Sequence, residues 1–232
     1  MFGHDPVITN VRPTETMEYG EAWLLEILTL HRLPVSCMTR SERPMSEWLN
    51  RGYHHLSEEA LVSTLTSMYQ RGEIDAYHDD DMEKPATLRQ FLLALGEMDS
   101  AMHCGVTQDG GKRWEDLAEP DWSRFFEDVG WDGENVEITA ATRERLIELV
   151  SNADVLWQCN MSVTDDSINQ FTPWEPLAWK TLPTGYRASV RYEQIPFTPR
   201  PREEIMQEHS KNRRRYVELR TWAKSICGHD YV

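Results

Sequence analysis

The stretch SEEALVSTLTSMYQRGEIDAYH, residues 57–78, decides how the chain is read. Ser57 is a helix N-cap, because its hydroxyl can accept from an amide that the first turn leaves unpaired. Glu58 and Glu59 follow in that turn, where negative charge suits the positive end of the helix dipole. Leu61, Leu65, Met68 and Tyr69 then recur at the spacing of one helical face. Gly72 stops the helix, residues 73–78 alternate as a short strand, and Asp79, Asp80 and Asp81 make a charged turn.

Outward from this stretch, residues 18–31 form a helix with Trp23, Leu24, Ile27 and Leu28 on its core side, ended by Pro34. Residues 41–50 read as a short helix, with Pro44 in its first turn and Gly52 just beyond its end. Downstream come a helix over 86–97, a strand over 101–106, and a helix capped by Thr107 that carries Trp114 and Leu117. The order helix, short helix, capped helix, strand, charged turn resembles a winged helix-turn-helix. The turn Val106-Thr107-Gln108-Asp109-Gly110 is similar to the Leu-Thr-x-x-Gly turn that closes the wing in many such proteins, with Val in place of Leu. The resemblance spans residues 18–118 and implies a DNA-reading third helix.

The rest of the chain is less regular. Residues 128–135 are rich in turn formers, 136–139 suit a strand, 140–153 a helix and 154–163 a further strand. Residues 164–185 read as a loop in which Pro173, Pro176 and Pro183 hold Trp174, Leu177 and Trp179. A period-two strand covers 186–192, a proline-rich linker 196–201, and a final helix 202–226. The expected architecture is α+β: a winged-helix-like half over residues 1–119, then a smaller α+β half with a C-terminal helix over 120–232. The whole chain is similar to bacterial proteins that join two such halves through a Trp-x-x-x-x-Trp-Lys-x-Leu-Pro-x-Gly segment, here residues 174–185. That resemblance implies an architecture and no activity.

Charge argues against the DNA-reading role. The chain of 232 residues carries 39 Asp and Glu against 24 Lys and Arg, a formal −15, and such a field repels phosphate backbones and anionic membranes. Residues 201–232 hold 7 basic against 5 acidic residues, so the preceding 200 hold 17 against 34. A reading helix needs Arg, Lys, Asn or Gln near its start. The helix after Ser57 has Glu58 and Glu59 there, and no basic residue until Arg71.

Several classes find no support. No apolar run nears the roughly 20 residues of a membrane span, and no secretion signal opens the chain, so a cytoplasmic setting with free thiols is expected. GxSxG, GxxxxGK[ST] and GxGxxG are absent. Neither His54-His55, residues 78–81, His103-Cys104 nor residues 227–230 has zinc or calcium spacing, and no cofactor is expected. Lys211, Arg213, Arg214 and Arg215 form a basic run that suits nucleic acid, but Glu208 and Glu218 compensate it as on a solvated helix face. The leading expectation is a non-enzymatic protein that binds a basic protein partner, most concretely an immunity- or antitoxin-type inhibitor of a basic toxin such as a nuclease. Its surface would include Glu58, Glu59, Asp79, Asp80, Asp81 and Asp109, with Trp174 and Trp179 as aromatic anchors. The alternatives are a winged-helix transcription regulator and a hydrolase with a site assembled from dispersed His and carboxylates.

Overall fold

The computed structural model describes residues 19–39, 56–97, 99–131, 133–195 and 202–227. The fold is α+β. The chain divides into two compact units: unit 1, Met1–Glu119 with Lys224–Val232, and unit 2, Pro120–Ala223. The return of the C-terminal residues to unit 1 is a feature that a division at residue 119 does not anticipate. The helix expected over 41–50 and the linker over 196–201 fall outside the described residues.

Unit 1 contains α1 (Tyr19–Leu30), β1 (Leu33–Pro34), α2 (Val35–Thr39), α3 (Glu58–Gln70), β2 (Ile74–His78), α4 (Leu88–Glu97), β3 (Met102–Val106) and α5 (Gln108–Ala118). Helix α1 is buried nearly all round, as its sequence AWLLEIL requires, and forms the centre of this core. Leu61, Leu65 and Met68 of α3, Phe91, Ala94 and Leu95 of α4, and Trp114 and Ala118 of α5 add their buried faces. The sheet is antiparallel in the order β1-β3-β2.

One joint of this unit follows directly from the quoted stretch. Gly72 adopts φ +70, which a side chain rarely tolerates, and turns the chain from α3 into β2. Thr107 then does three things. It caps α5 by accepting from the Gly110 amide (3.2 Å), its hydroxyl donates to the Gly72 carbonyl (2.6 Å), and its amide donates to the Glu73 carbonyl (3.0 Å). Gly110 sits so close to this crossing that a Cβ there would lie 2.0 Å from the Glu73 carbonyl oxygen.

The tail closes onto the same unit. The Lys224 amide donates to the Ala118 carbonyl (2.8 Å). Ser225 Oγ (3.2 Å), the Cys227 amide (3.4 Å) and Cys227 Sγ (2.6 Å) all donate to Oε2 of Glu26, a fully buried carboxylate on α1. These bonds replace part of the hydration that Glu26 loses.

Unit 2 is a sheet covered on one face by helices. Its elements are β4 (Phe126–Val129), β5 (Asn135–Ala140), α6 (Arg143–Ser151), α7 (Ala153–Trp157), β6 (Cys159–Ser162), β7 (Asn169–Phe171), β8 (Trp174–Leu177), β9 (Lys180–Leu182), β10 (Gly185–Gln194) and α8 (Arg202–Arg220). The main sheet runs β4-β5-β10-β6, with β7 also paired to β10, and β8-β9 is a separate hairpin. Period-two alternation sends Val136, Ile138 and Ala140 of β5 and Ala188 and Val190 of β10 to one face, where they meet Leu146, Leu149, Leu156 and Leu219.

Here the structure departs from the sequence expectations. The turn-rich span from 128 begins inside strand β4. The strand expected over 154–163 starts as helix α7, because Ala153 and Leu156 bury at helical spacing; Gln158 then turns left-handed (φ 55) and leaves only Cys159–Ser162 extended. The loop expected over 164–185 holds β7 and the β8-β9 hairpin. The last helix stops at Arg220, where two arginines take its final carbonyls: Arg124 donates to Glu218 and Thr221, and Arg145 to Leu219.

Candidate protein-binding surface

In unit 1 the helix that starts at Ser57 has a purely acidic entrance. Ser57 accepts from the Ala60 amide (3.2 Å), and Glu58 and Glu59 are exposed in the first turn. Two of its hydroxyls are spent locally: Thr64 donates to the Ala60 carbonyl (2.8 Å) and Thr66 to the Val62 carbonyl (2.7 Å). Arg71 closes the helix inside an ion-pair square. It binds Glu73 (2.8 Å) and Glu21, and Arg113 of α5 binds the same two carboxylates at 2.7 and 2.9 Å. The Glu73 hydrogen bond pushes the Arg71 guanidinium up, so its charge is permanent and already shared.

The acidic turn lies beyond β2. Asp79, Asp80 and Asp81 are exposed. Asp79 reaches His103 Nδ1 at 2.8 Å, and Asp80 lies 3.5 Å from His78 Nδ1 with its side chain 91% exposed. Asp109 is exposed in the first turn of α5. All six expected carboxylates therefore belong to one unit and reach solvent. Unit 1 as a whole has 22 acidic against 11 basic residues, whereas unit 2 has 17 against 13.

The two tryptophans lie in unit 2, and one of them corrects the expectation. Trp174 is only 4% exposed. Its ring packs against Phe125 and Phe171, and its indole donates to Glu127. It is an anchor that fastens the β8-β9 hairpin over Gly185, so it presents no partner-binding ring. Trp179 is half-buried, edge-on to Trp122, whose ring also carries Lys180 Nζ at 4.8 Å. Burial pushes the Glu127 carboxyl up, against the Trp174 hydrogen bond and the charge of Arg187.

The basic run is divided. Lys211, Arg213 and Arg214 are exposed on α8, whereas Arg215 turns to Asn152, Glu148 and Glu218 within unit 2. Among the described residues, no group of three or more His, Cys, Asp or Glu is placed to hold a metal ion. His54-His55 and residues 228–230 lie outside the described residues. Cys104 is fully buried, and burial pushes its thiol up, so it makes no nucleophile with His103. The four cysteines are free thiols. No described helix is long and apolar enough to cross a membrane.

Sequence reasoning missed the exposed apolar residues of unit 1. Met82 is 37%, Leu92 41% and Leu93 56% exposed. Comparison with protein-family models, curated proteins and solved structures found no match.

Proposed function

We propose that this is a non-enzymatic, acidic protein-binding protein whose unit 1 receives a basic protein. In its most concrete form it is an immunity- or antitoxin-type inhibitor of a basic toxin such as a nuclease. One observation carries this reading. The helix after Ser57 and the turn after β2 present five exposed carboxylates, and the cation at that helix's end, Arg71, is held by Glu21 and Glu73. Nuclease clefts are positive, and an acidic inhibitor meets them quickly through electrostatic steering.

The winged-helix likeness fits the same proposal. Chain order α1, β1, α2, α3, β2, α4, β3 with strand order β1-β3-β2 is compatible with a winged helix that has a helix added between its last two strands, and on that likeness α3 would be the DNA-reading helix and β2–β3 the wing. In this reading the wing contains α4, and the reading helix carries charge of the wrong sign. Function follows those residues and not the fold.

The test is affinity capture from native-host lysate by the full chain and by the fourfold variant E58Q/E59Q/D80N/D81N, with and without nuclease. The proposal expects one stoichiometric basic protein that survives nuclease, is released in 1 M salt and is lost by the variant. A second reading, a DNA-binding regulator, is favoured by the strand order and by exposed Lys211, Arg213 and Arg214. DNA recovered only without nuclease, and lost on replacing those three by Gln, would establish that reading instead.

A further inference from the structure

Helix α4 of unit 1 has a bare apolar face. Phe91 points inward and is fully buried; Leu92 and Leu93 are about 100° and 200° further round the helix and are exposed. Gly96 is one turn beyond Leu92 on this face. A Cβ at Gly96 would touch nothing, and its φ is not left-handed, so neither packing nor a helix-ending turn accounts for a glycine here. A helix bears a cost for such a residue. What a glycine beside two exposed leucines does permit is the close approach of another backbone.

The charge around the patch is graded. Glu97 is exposed at the C-terminal end of α4, beside Leu93 at helical spacing. Two backbone bonds carry the acidic turn to the same end: the Asp99 amide donates to the Ala94 carbonyl (3.0 Å), and the Asp79 amide to the Ala101 carbonyl (2.8 Å). Asp79, Asp80 and Asp81 thus stand near the negative end of the α4 dipole. Arg89, exposed in the first turn of α4 one turn before Leu92 and Leu93, lies toward the other end.

From this we infer that the Leu92–Leu93–Gly96 face of α4 is a docking site for a basic amphipathic helix of a partner protein. The leucines and Gly96 take its apolar side, and Glu97 with Asp79–Asp81 takes its cations. The inference rests on the acidic-surface reading above and adds to it an apolar centre and an orientation, with the partner's positive side toward the C-terminal end of α4.

The experiment uses the full chain and two synthetic helical peptides of equal charge, one with a Lys face and a Leu face, the other with Ala in place of Leu. Binding is followed by fluorescence anisotropy at moderate salt. The Lys/Leu peptide is expected to bind about tenfold or more tighter than the Lys/Ala peptide. L92S/L93S should abolish that difference. G96Q should weaken Lys/Leu binding about fivefold or more while leaving the melting temperature equal or higher, since Gln is the better helix former. Equal affinity for the two peptides, or wild-type binding by L92S/L93S, would overturn the inference; if D80N/D81N still weakened both peptides, the acidic-surface reading would stand without it. No binding of either peptide would remove both. A concentration-dependent dimer of the protein alone, lost in L92S/L93S, would assign the face to a second copy and overturn the inference.

Discussion

Two helices of this molecule carry opposite charge, and the difference is instructive. Helix α3 of unit 1 opens on Glu58 and Glu59 and ends on an arginine that is tied to two carboxylates. Helix α8 of unit 2 exposes Lys211, Arg213 and Arg214 and is held at its C-terminus by arginines that bind backbone carbonyls. In the first case arginine is consumed by side chains and the surface is left acidic. In the second, Arg124 and Arg145 spend donors on backbone carbonyls, Arg145 and Arg215 also take Glu148, and Lys211, Arg213 and Arg214 are left at the surface. What a helix offers a partner depends on which charges the fold has already used.

That contrast can be broken most severely at the buried charges. Arg145 is 4% exposed and donates to the Arg124 carbonyl (3.0 Å), the Leu219 carbonyl and Glu148 (2.7 Å). Its replacement by Met should destabilise the protein by about 3–5 kcal/mol, because the α8 carbonyls and Glu148 lose their donor. Chemical denaturation followed by tryptophan fluorescence measures this, and a loss below 1 kcal/mol would show that the buried guanidinium is dispensable.

Next in size is Gly110. Alanine there must displace the Glu73 carbonyl, and with it the square that holds Arg71 and Arg113. A loss of about 2–4 kcal/mol is expected, together with faster exchange of the Thr107 amide. Unchanged exchange would mean that the crossing relaxes without cost.

The binding contrast is sharpened by charge removal. E58Q/E59Q should lower affinity for a basic partner several-fold at low salt and leave stability within about 0.5 kcal/mol, since both side chains are exposed. Neutralising the exposed Arg213 and Arg214 of α8 should not weaken that partner.

The smallest effect concerns pH. Burial raises the folded-state pKa of the Glu127 carboxyl above its unfolded value, so the folded protein holds the proton more tightly. This group's contribution therefore becomes less favourable as pH rises from the unfolded pKa through the folded one. E127Q should melt about 1–3 °C higher than wild type at pH 7, with the gain shrinking in acid. A gain that persists unchanged at pH 3.5 would assign it to something other than ionisation.

Unit 1 was the more legible half, for physical reasons. The Ser57 and Thr107 caps, the glycine stop and the apolar spacing of α3 are local signals, and each has its counterpart in the structure: two capping hydroxyls, a left-handed Gly72, and a buried Leu61, Leu65 and Met68. Strands β7, β8 and β9 have three or four residues, too few to show a period, and Pro176 within β8 reads as a loop residue. The buried Arg145 was invisible because Arg124 and Leu219 lie far from it in sequence. At the candidate surface, the carboxylates were readable because Asp and Glu reach solvent by default. Trp174 was not, since prolines report an extended backbone and say nothing of what covers the ring. The run Phe91–Leu95 is apolar on every side, so the pattern could not reveal that Leu92 and Leu93 are the uncovered pair.

The proposal that the acidic helix α3 serves a basic protein and not a nucleic acid is tested by titrating a labelled random DNA duplex with the intact protein at low salt. The account predicts no binding below ~100 µM, the weak end of nonspecific affinity. A low-micromolar complex whose affinity falls steeply with salt would contradict it.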